Sequence, residues 1–198
     1  MMIIVGLGNL GEKFKNTRHN AGFMAIDFFA KQNDFPEFKL QKKYTSLTSE
    51  KNIEKKYPNS DGRQNQSIKI ILVKPQTFMN EAGKAVASIL KNKKEAELVV
   101  IHDDIDMPLG KIKFSKDSGA GGHKGVNSII NSLGKQDFIR LKIGICPATK
   151  KPEAVEKFVI EKFTKEELLV LNKVIETSAN ALKLLINEDL KKTMNEFN

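Results

Sequence analysis

MMIIVGLGNLGEKFKNTRHNAGF, residues 1–23, begins with a short apolar run at Ile3-Ile4-Val5 that gives way at once to Gly6, Gly8 and Gly11. An apolar run punctuated by glycines reads as a buried strand that ends in a tight turn. A polar and basic loop follows and delivers Thr17-Arg18-His19-Asn20; helical apolar spacing starts only at Ala21 and runs to Phe29. The chain therefore holds Asn9, Arg18, His19 and Asn20 at the carboxyl end of its first strand. Ligands of open α/β sheets bind at that end, so this loop reads as half of an active site.

The same glycines match the spacing of a dinucleotide-binding turn, with Asp27 at about the expected distance. Context excludes that reading. A dinucleotide fold opens its helix inside the glycine motif and carries the acid on a second strand. Here the polar residues Glu12 to Asn20 intervene, and Asp27 sits within AGFMAIDFFAKQ as a solvated helix position.

Farther along, Phe38 to Thr48 alternates enough to be a strand. Ser49 to Gln66, SEKNIEKKYPNSDGRQNQ, is polar and contains Pro58 and Asp61-Gly62. It is expected to form a long hairpin loop turning at Asp61-Gly62, with a strand resuming over Ile68 to Val73. PQTFMN, Pro75 to Asn80, then links that strand to a helix over Glu81 to Lys91. Asn80 suits a helix N-cap as well as a second loop of the site, and Phe78 and Met79 suit either core or site.

Leu98-Val99-Val100-Ile101 predicts a central strand covered on both faces, ending in His102-Asp103-Asp104. Adjacent strand residues point to opposite faces, which disfavours a metal held by these three; His102 is expected as a packed histidine and a carboxylate as a cleft residue. After a short strand at Lys111 to Phe114, the glycine-rich KDSGAGGHKG, Lys116 to Gly125, runs into a helix over Val126 to Leu133. Backbone N–H groups at such a helix start favour an anion or carbonyl oxygen; the alternative is a plain connector with His123 exposed. On the strand Phe138 to Ile145, Arg140 and Lys142 are two apart and so share a face, a pair suited to phosphates. Thr164 and Glu167 form a capping box for an amphipathic C-terminal helix, Lys165 to Asn187.

Composition narrows the partners. The 198 residues carry 33 Lys plus Arg against 24 Asp plus Glu, a net charge of +9. That balance points to an anionic partner, nucleic acid foremost, with a merely solvated lysine surface as the alternative. Cys146 is the single cysteine, so neither an internal disulfide nor a thiolate zinc site is available. No apolar run approaches the roughly 18 residues of a membrane span, and the N-terminus reads as a core strand, not a signal sequence. A cytoplasmic protein without membrane contact is expected.

The blocks GLGNLGEKFKNTRHNAGF, KPQTFMN, HDDIDMPLG, GAGGHKGVNSI and FIRLKIGI, in that order, resemble the bacterial peptidyl-tRNA hydrolase family. FVIEKFTKEE is similar to the family's stretch before its last helix, and TRHNAGF together with KPQTFMN is a highly specific combination. The resemblance implies one three-layer α/β/α domain over residues 1–198 with a central mixed twisted sheet, and a monomer. It also implies hydrolysis of the ester between an N-blocked peptide and the 3′ end of tRNA, without cofactor, metal or covalent nucleophile. His19 takes the place of the catalytic base and Asp103 of the carboxylate that orients it. Asn9, Phe78, Met79, Asn80, His123 and Lys124 fall at positions that meet the substrate, Phe14 at one that stacks on the terminal adenosine, and Lys142 at one that meets tRNA phosphate, with Arg140 assigned beside it from their shared face. Four residues depart from the family pattern: Leu10 for proline, Phe14 for tyrosine, Lys124 for asparagine and Ser115 for lysine, with Lys113 or Lys116 able to replace that last charge.

Overall fold

In the computed structural model, which describes residues 1–55, 66–93, 95–147 and 150–198, the chain runs β1 (Met2–Gly6), α1 (Ala21–Gln32), β2 (Lys39–Gln41), β3 (Ser46–Lys55), β4 (Gln66–Pro75), α2 (Ala82–Leu90) and β5 (Glu97–Pro108). It continues through β6 (Ile112–Lys116), α3 (Lys124–Leu133), β7 (Ile139–Cys146), α4 (Val155–Ile160), α5 (Lys165–Asn187) and α6 (Leu190–Phe197). The strands form one mixed sheet in the order β2-β3-β4-β1-β5-β7-β6. The inner strands β4, β1, β5 and β7 are mutually parallel, whereas β2, β3 and β6 join antiparallel at the edges.

Alternation along β1 builds the layers. Met2 and Ile4 pack with Phe29 of α1 and Leu171 of α5, whereas Ile3 and Val5 pack with Val86 of α2 and Ile129 of α3. A strand buried on both faces reads as a continuous apolar run for this reason. The expected three-layer arrangement is therefore present, with α5 spanning the predicted residues and opened by the predicted Thr164–Glu167 capping box. Among the described residues, no helix is long and apolar enough to cross a membrane.

The polar stretch from Ser49 corrects the sequence reading. Ser46 to Lys55 pair residue by residue with Pro75 to Gln66, so eight of the residues assigned to the loop are strand, and β4 begins at Gln66 rather than Ile68. One face of an antiparallel edge can be solvated, and here Glu50 and Lys69 meet on it at 3.0 Å while Ile53 packs toward the core. The Asp61-Gly62 turn lies outside the described residues. The strand expected over Phe38 to Thr48 is also divided, into β2 and β3, by a turn at Lys42–Tyr44 that ends with Thr45 in the left-handed region. Asp27, by contrast, is exposed as read and pairs with Lys74 at 2.5 Å.

Gly22 sets how closely α1 approaches the sheet. A Cβ there would lie 2.4 Å from the Ile101 carbonyl oxygen and 2.6 Å from the backbone of Leu7. The neighbouring backbone bonds, Leu7 N to Ile101 O at 2.9 Å and Phe23 N to Leu7 O at 3.1 Å, leave it no room to withdraw. Gly22→Ala is expected to destabilise the fold by about 3 kcal/mol through overpacking and to lower Tm by about 10 °C in a thermal melt. Gly119→Ala, which meets nothing within 4 Å, is the matched control and should melt like the parent.

Candidate active site

His19 stands in a tight turn, Arg18–Asn20, immediately before α1. Asp103 lies on β5 where that strand still pairs in parallel with β7, which brings the carboxylate beside the imidazole. Nδ1 of His19 is 2.9 Å from Asp103 Oδ1 and 3.0 Å from Oδ2. His123 reaches the same carboxylate from the start of α3, with Nε2 3.0 Å from Oδ1.

Hydrogen bonds around His123 assign the protons of the whole group. Its Nδ1 accepts from the backbone N–H groups of Gly125 and Val126 at 3.1 and 3.2 Å, capping α3. The ring proton of neutral His123 therefore sits on Nε2 and is donated to Asp103. Burial alone would raise the Asp103 carboxyl, but His19 and His123, both donating to it, outweigh burial and hold it well below the usual carboxylate range. An ionised carboxylate only accepts, so Nδ1 of His19 is the donor, and Nε2 of His19 keeps a free lone pair. His19, Asp103 and His123 are also the one trio among the described residues with ligand atoms close enough for a cation. The proton that Gly125 and Val126 force onto His123 Nε2 occupies the atom a metal would need, so the trio is built as a hydrogen-bond network.

His102 is the packed histidine expected from the sequence, 2% exposed, on the face of β5 opposite Asp103. Its Nδ1 donates to the Asp103 carbonyl at 2.6 Å, and its ring meets the His123 ring edge-on, 4.7 Å between centroids. Burial, reinforced by His123, drives its pKa well below the ordinary histidine value. A folded-state pKa lowered in this way gives stability that is present above the unfolded pKa, about 6.5, and is lost as pH falls below it. His102→Asn, which keeps a donor for the carbonyl, should be less stable than the parent in urea melts at pH 7.5. The gap should narrow by about 1 kcal/mol at pH 5.5.

Asn9 is held by Asn20, whose carboxamide accepts from the Asn9 N–H at 2.8 Å and donates to the Asn9 carbonyl at 3.0 Å. Oδ1 of Asn9 accepts from the Met79 N–H at 3.0 Å. The acceptor end of Asn9 is thus occupied, and its Nδ2 remains as a donor on the wall of a cleft of about 820 Å³. His19, Asp103, His123, Phe78, Met79, Asn80 and Lys124 line the same cleft. Met79 is buried, whereas Phe78 is 58% exposed. Asn80 does not cap α2: Glu81 occupies the N-cap position, and no side chain caps it. Lys124 pairs with Glu156 of α4 at 2.8 Å, and Val155, Val159 and Ile160 complete an apolar wall.

Two assigned positions differ from expectation. Arg140 shares its face with Lys142 but is 1% exposed, because the loop before α3 folds over it. Its guanidinium donates to the Gly119 carbonyl at 2.8 Å and to the Ser118 hydroxyl, and burial lowers its pKa. It clasps the glycine-rich loop and presents no charge to a phosphate. The second basic residue beside Lys142 is Lys113, directly opposite it across β6 and β7 and exposed; Lys142 itself pairs with Asp104 at 2.9 Å. Lys116 is occupied by Asp137 at 3.3 Å. Phe14 is half-buried beneath the Lys13 ammonium, 4.8 Å from its ring centre, and does not line the cleft.

The family model described as peptidyl-tRNA hydrolase matches residues 3–198. The chain belongs to the peptidyl-tRNA hydrolase family. It is 45% identical over 205 residues to the peptidyl-tRNA hydrolase of Thermodesulfovibrio yellowstonii, covering 100% of this chain and 99% of that one. It is 40% identical over 201 residues to that of Shouchella clausii, covering 100% of each. The crystal structure of the Acinetobacter baumannii peptidyl-tRNA hydrolase superposes with a TM-score of 0.85 at 29% identity, over 99% of this chain and 93% of that one. The fold is thus the peptidyl-tRNA hydrolase fold. Sequence reasoning left two features of its cleft unassigned: the Asn20 clamp on Asn9 and the bond from His123 to Asp103. Asn20 stood beside His19 in the first loop, but nothing in the sequence indicated which backbone its carboxamide would meet.

Proposed function

We propose that this protein hydrolyses the ester linking an N-blocked peptide to the 3′ end of tRNA, with water activated by His19. The observation that carries the reading is the free Nε2 lone pair of His19 on the cleft wall, backed on Nδ1 by an ionised Asp103. Nε2 takes a proton as water adds to the ester carbonyl, and Asp103 stabilises the imidazolium that forms. Asn9 Nδ2 and the Asn80 carboxamide are the donors available to the developing oxyanion and the peptide backbone. Collapse expels the tRNA 3′ oxygen, which takes the proton back from His19. One tRNA and one peptide leave, with one water consumed. Every group in this sequence comes from a single copy of the chain, so a monomer suffices.

Lys113 and Lys142 are the phosphate contacts in this reading. Like charges opposite each other across two strands repel, and a bound phosphate relieves that repulsion. Lys142→Ala should weaken tRNA binding several-fold at low salt and flatten the salt dependence by about one counterion. A filter-binding constant unchanged at low ionic strength would remove Lys142 from the interface.

The deciding experiment is release of N-acetyl amino acid from N-acetylated aminoacyl-tRNA, with a chelator present. Turnover that survives the chelator supports the reading. Tight tRNA binding with no ester cleavage would replace it with an RNA-binding role.

A further inference from the structure

Arg18, next to His19, is one of the most enclosed charges in the molecule, yet no step of hydrolysis uses it. Its side chain is 5% exposed, and the hydrogen bonds its guanidinium makes all lead to a single short segment, Phe158 to Glu167. Nη2 donates to both carboxylate oxygens of Glu167 at 2.9 and 2.7 Å, and Nη1 to the carbonyls of Glu161 and Lys162 at 3.3 and 3.2 Å. The guanidinium lies 3.9 Å from the ring centre of Phe158 and 5.3 Å from that of Phe163. Backbone bonds run alongside: Arg18 N to Glu161 O at 3.1 Å and Phe163 N to Asn16 O at 3.1 Å.

The fastened segment joins two elements that matter to the cleft. It begins in the last turn of α4, whose Val155, Val159 and Ile160 form the apolar wall. It ends in α5, whose first turn is closed by the same Glu167 through its bond from Thr164 N at 2.8 Å. A planar fork that satisfies a carboxylate and two carbonyls at once fixes both distance and angle, which a lysine cannot do.

On the proposed hydrolase reading, we infer that Arg18 is a positioning residue: through Glu167 and the 161–162 carbonyls it holds α4 against the catalytic loop, so that the wall facing the acyl group is set when substrate arrives. His19 itself is held separately by Asp103. Arg18 therefore acts on substrate fit rather than on the base.

The test uses the full chain with Arg18→Lys and Glu167→Gln. Glutamine still suits the third position of a capping box, so α5 keeps its cap while the charged fork is lost. Both variants are expected to raise KM for N-acetylated aminoacyl-tRNA about tenfold with kcat within about twofold of the parent. Deacylated tRNA should bind as tightly as to the parent, and the amides of 155–160 should exchange with solvent faster while those of β5 do not. Should Arg18→Lys fail to fold, Glu167→Gln alone carries the test. A lower Tm with parent KM and parent exchange would make the contact purely structural and overturn the inference. A fall in kcat at unchanged KM would overturn it by assigning Arg18 to the placement of His19. Parent protein that cleaves no ester would refute the hydrolase reading instead, and the exchange measurement would still decide whether Arg18 holds α4.

Discussion

His19→Ala is expected to lower kcat for N-acetylated aminoacyl-tRNA by about a thousandfold, with deacylated tRNA bound as by the parent. Among the described residues, the imidazole is the one group on the cleft wall that combines a free lone pair with a carboxylate behind it, and a positioned general base contributes about 10²–10⁴ in rate. Residual turnover is expected from the donors that remain, Asn9 and Asn80, because stabilisation of an oxyanion survives loss of the base. The fold should tolerate the change: Asp103 keeps its bond from His123, and α1 is fixed by Gly22 and by the Phe23 to Leu7 bond. Single-turnover kinetics with enzyme in excess, beside a binding titration, separate the two effects. Turnover at the parent rate would dismiss His19 as the base.

Parts of this molecule were legible in the sequence because they depend on neighbours along the chain. Ile3 to Val5 before glycine, Leu98 to Ile101 in the centre, and Thr164 with Glu167 at the head of α5 are local patterns, and each lies where it was read. Other parts depend on what covers a residue. Ser49 to Lys55 has too little apolar content to announce a strand, and it becomes one because β4 offers a partner edge. Arg140 and Lys142 keep the predicted common face, but period cannot show that Ser118 and Gly119 fold over the first of them. The role of His123 was hidden for the same reason. Its bond to Asp103 spans 20 residues, and only the helix start at Gly125 and Val126 fixes which of its nitrogens carries the proton.

That proton gives Asp103→Asn an outcome distinct from simple loss of charge. A carboxamide offers one oxygen and one NH2 where the carboxylate offered two acceptors. His123 Nε2 can only donate, and it faces Oδ1 at 3.0 Å, so the carboxamide oxygen must take that place. The NH2 then takes the place of Oδ2, 3.0 Å from His19 Nδ1; the oxygen, 2.9 Å from the same nitrogen, is engaged by His123, so the NH2 is the unengaged partner and donates to the ring. His19 is driven into the tautomer with its proton on Nε2, where it cannot accept one from water. An analogous change of carboxylate to carboxamide behind a catalytic histidine lowers kcat by about 10⁴ through the wrong tautomer, and a loss of that order is expected here. The lock can be released separately. Asparagine is a good N-cap but is too short to reach residue 103, so His123→Asn should leave α3 capped while freeing the carboxamide to turn its oxygen toward His19. Asp103→Asn combined with His123→Asn is therefore expected to recover about tenfold in kcat over Asp103→Asn alone, a non-additivity that marks residues acting as a unit. A double variant no faster than the single one would mean that His123 does not set the tautomer of His19.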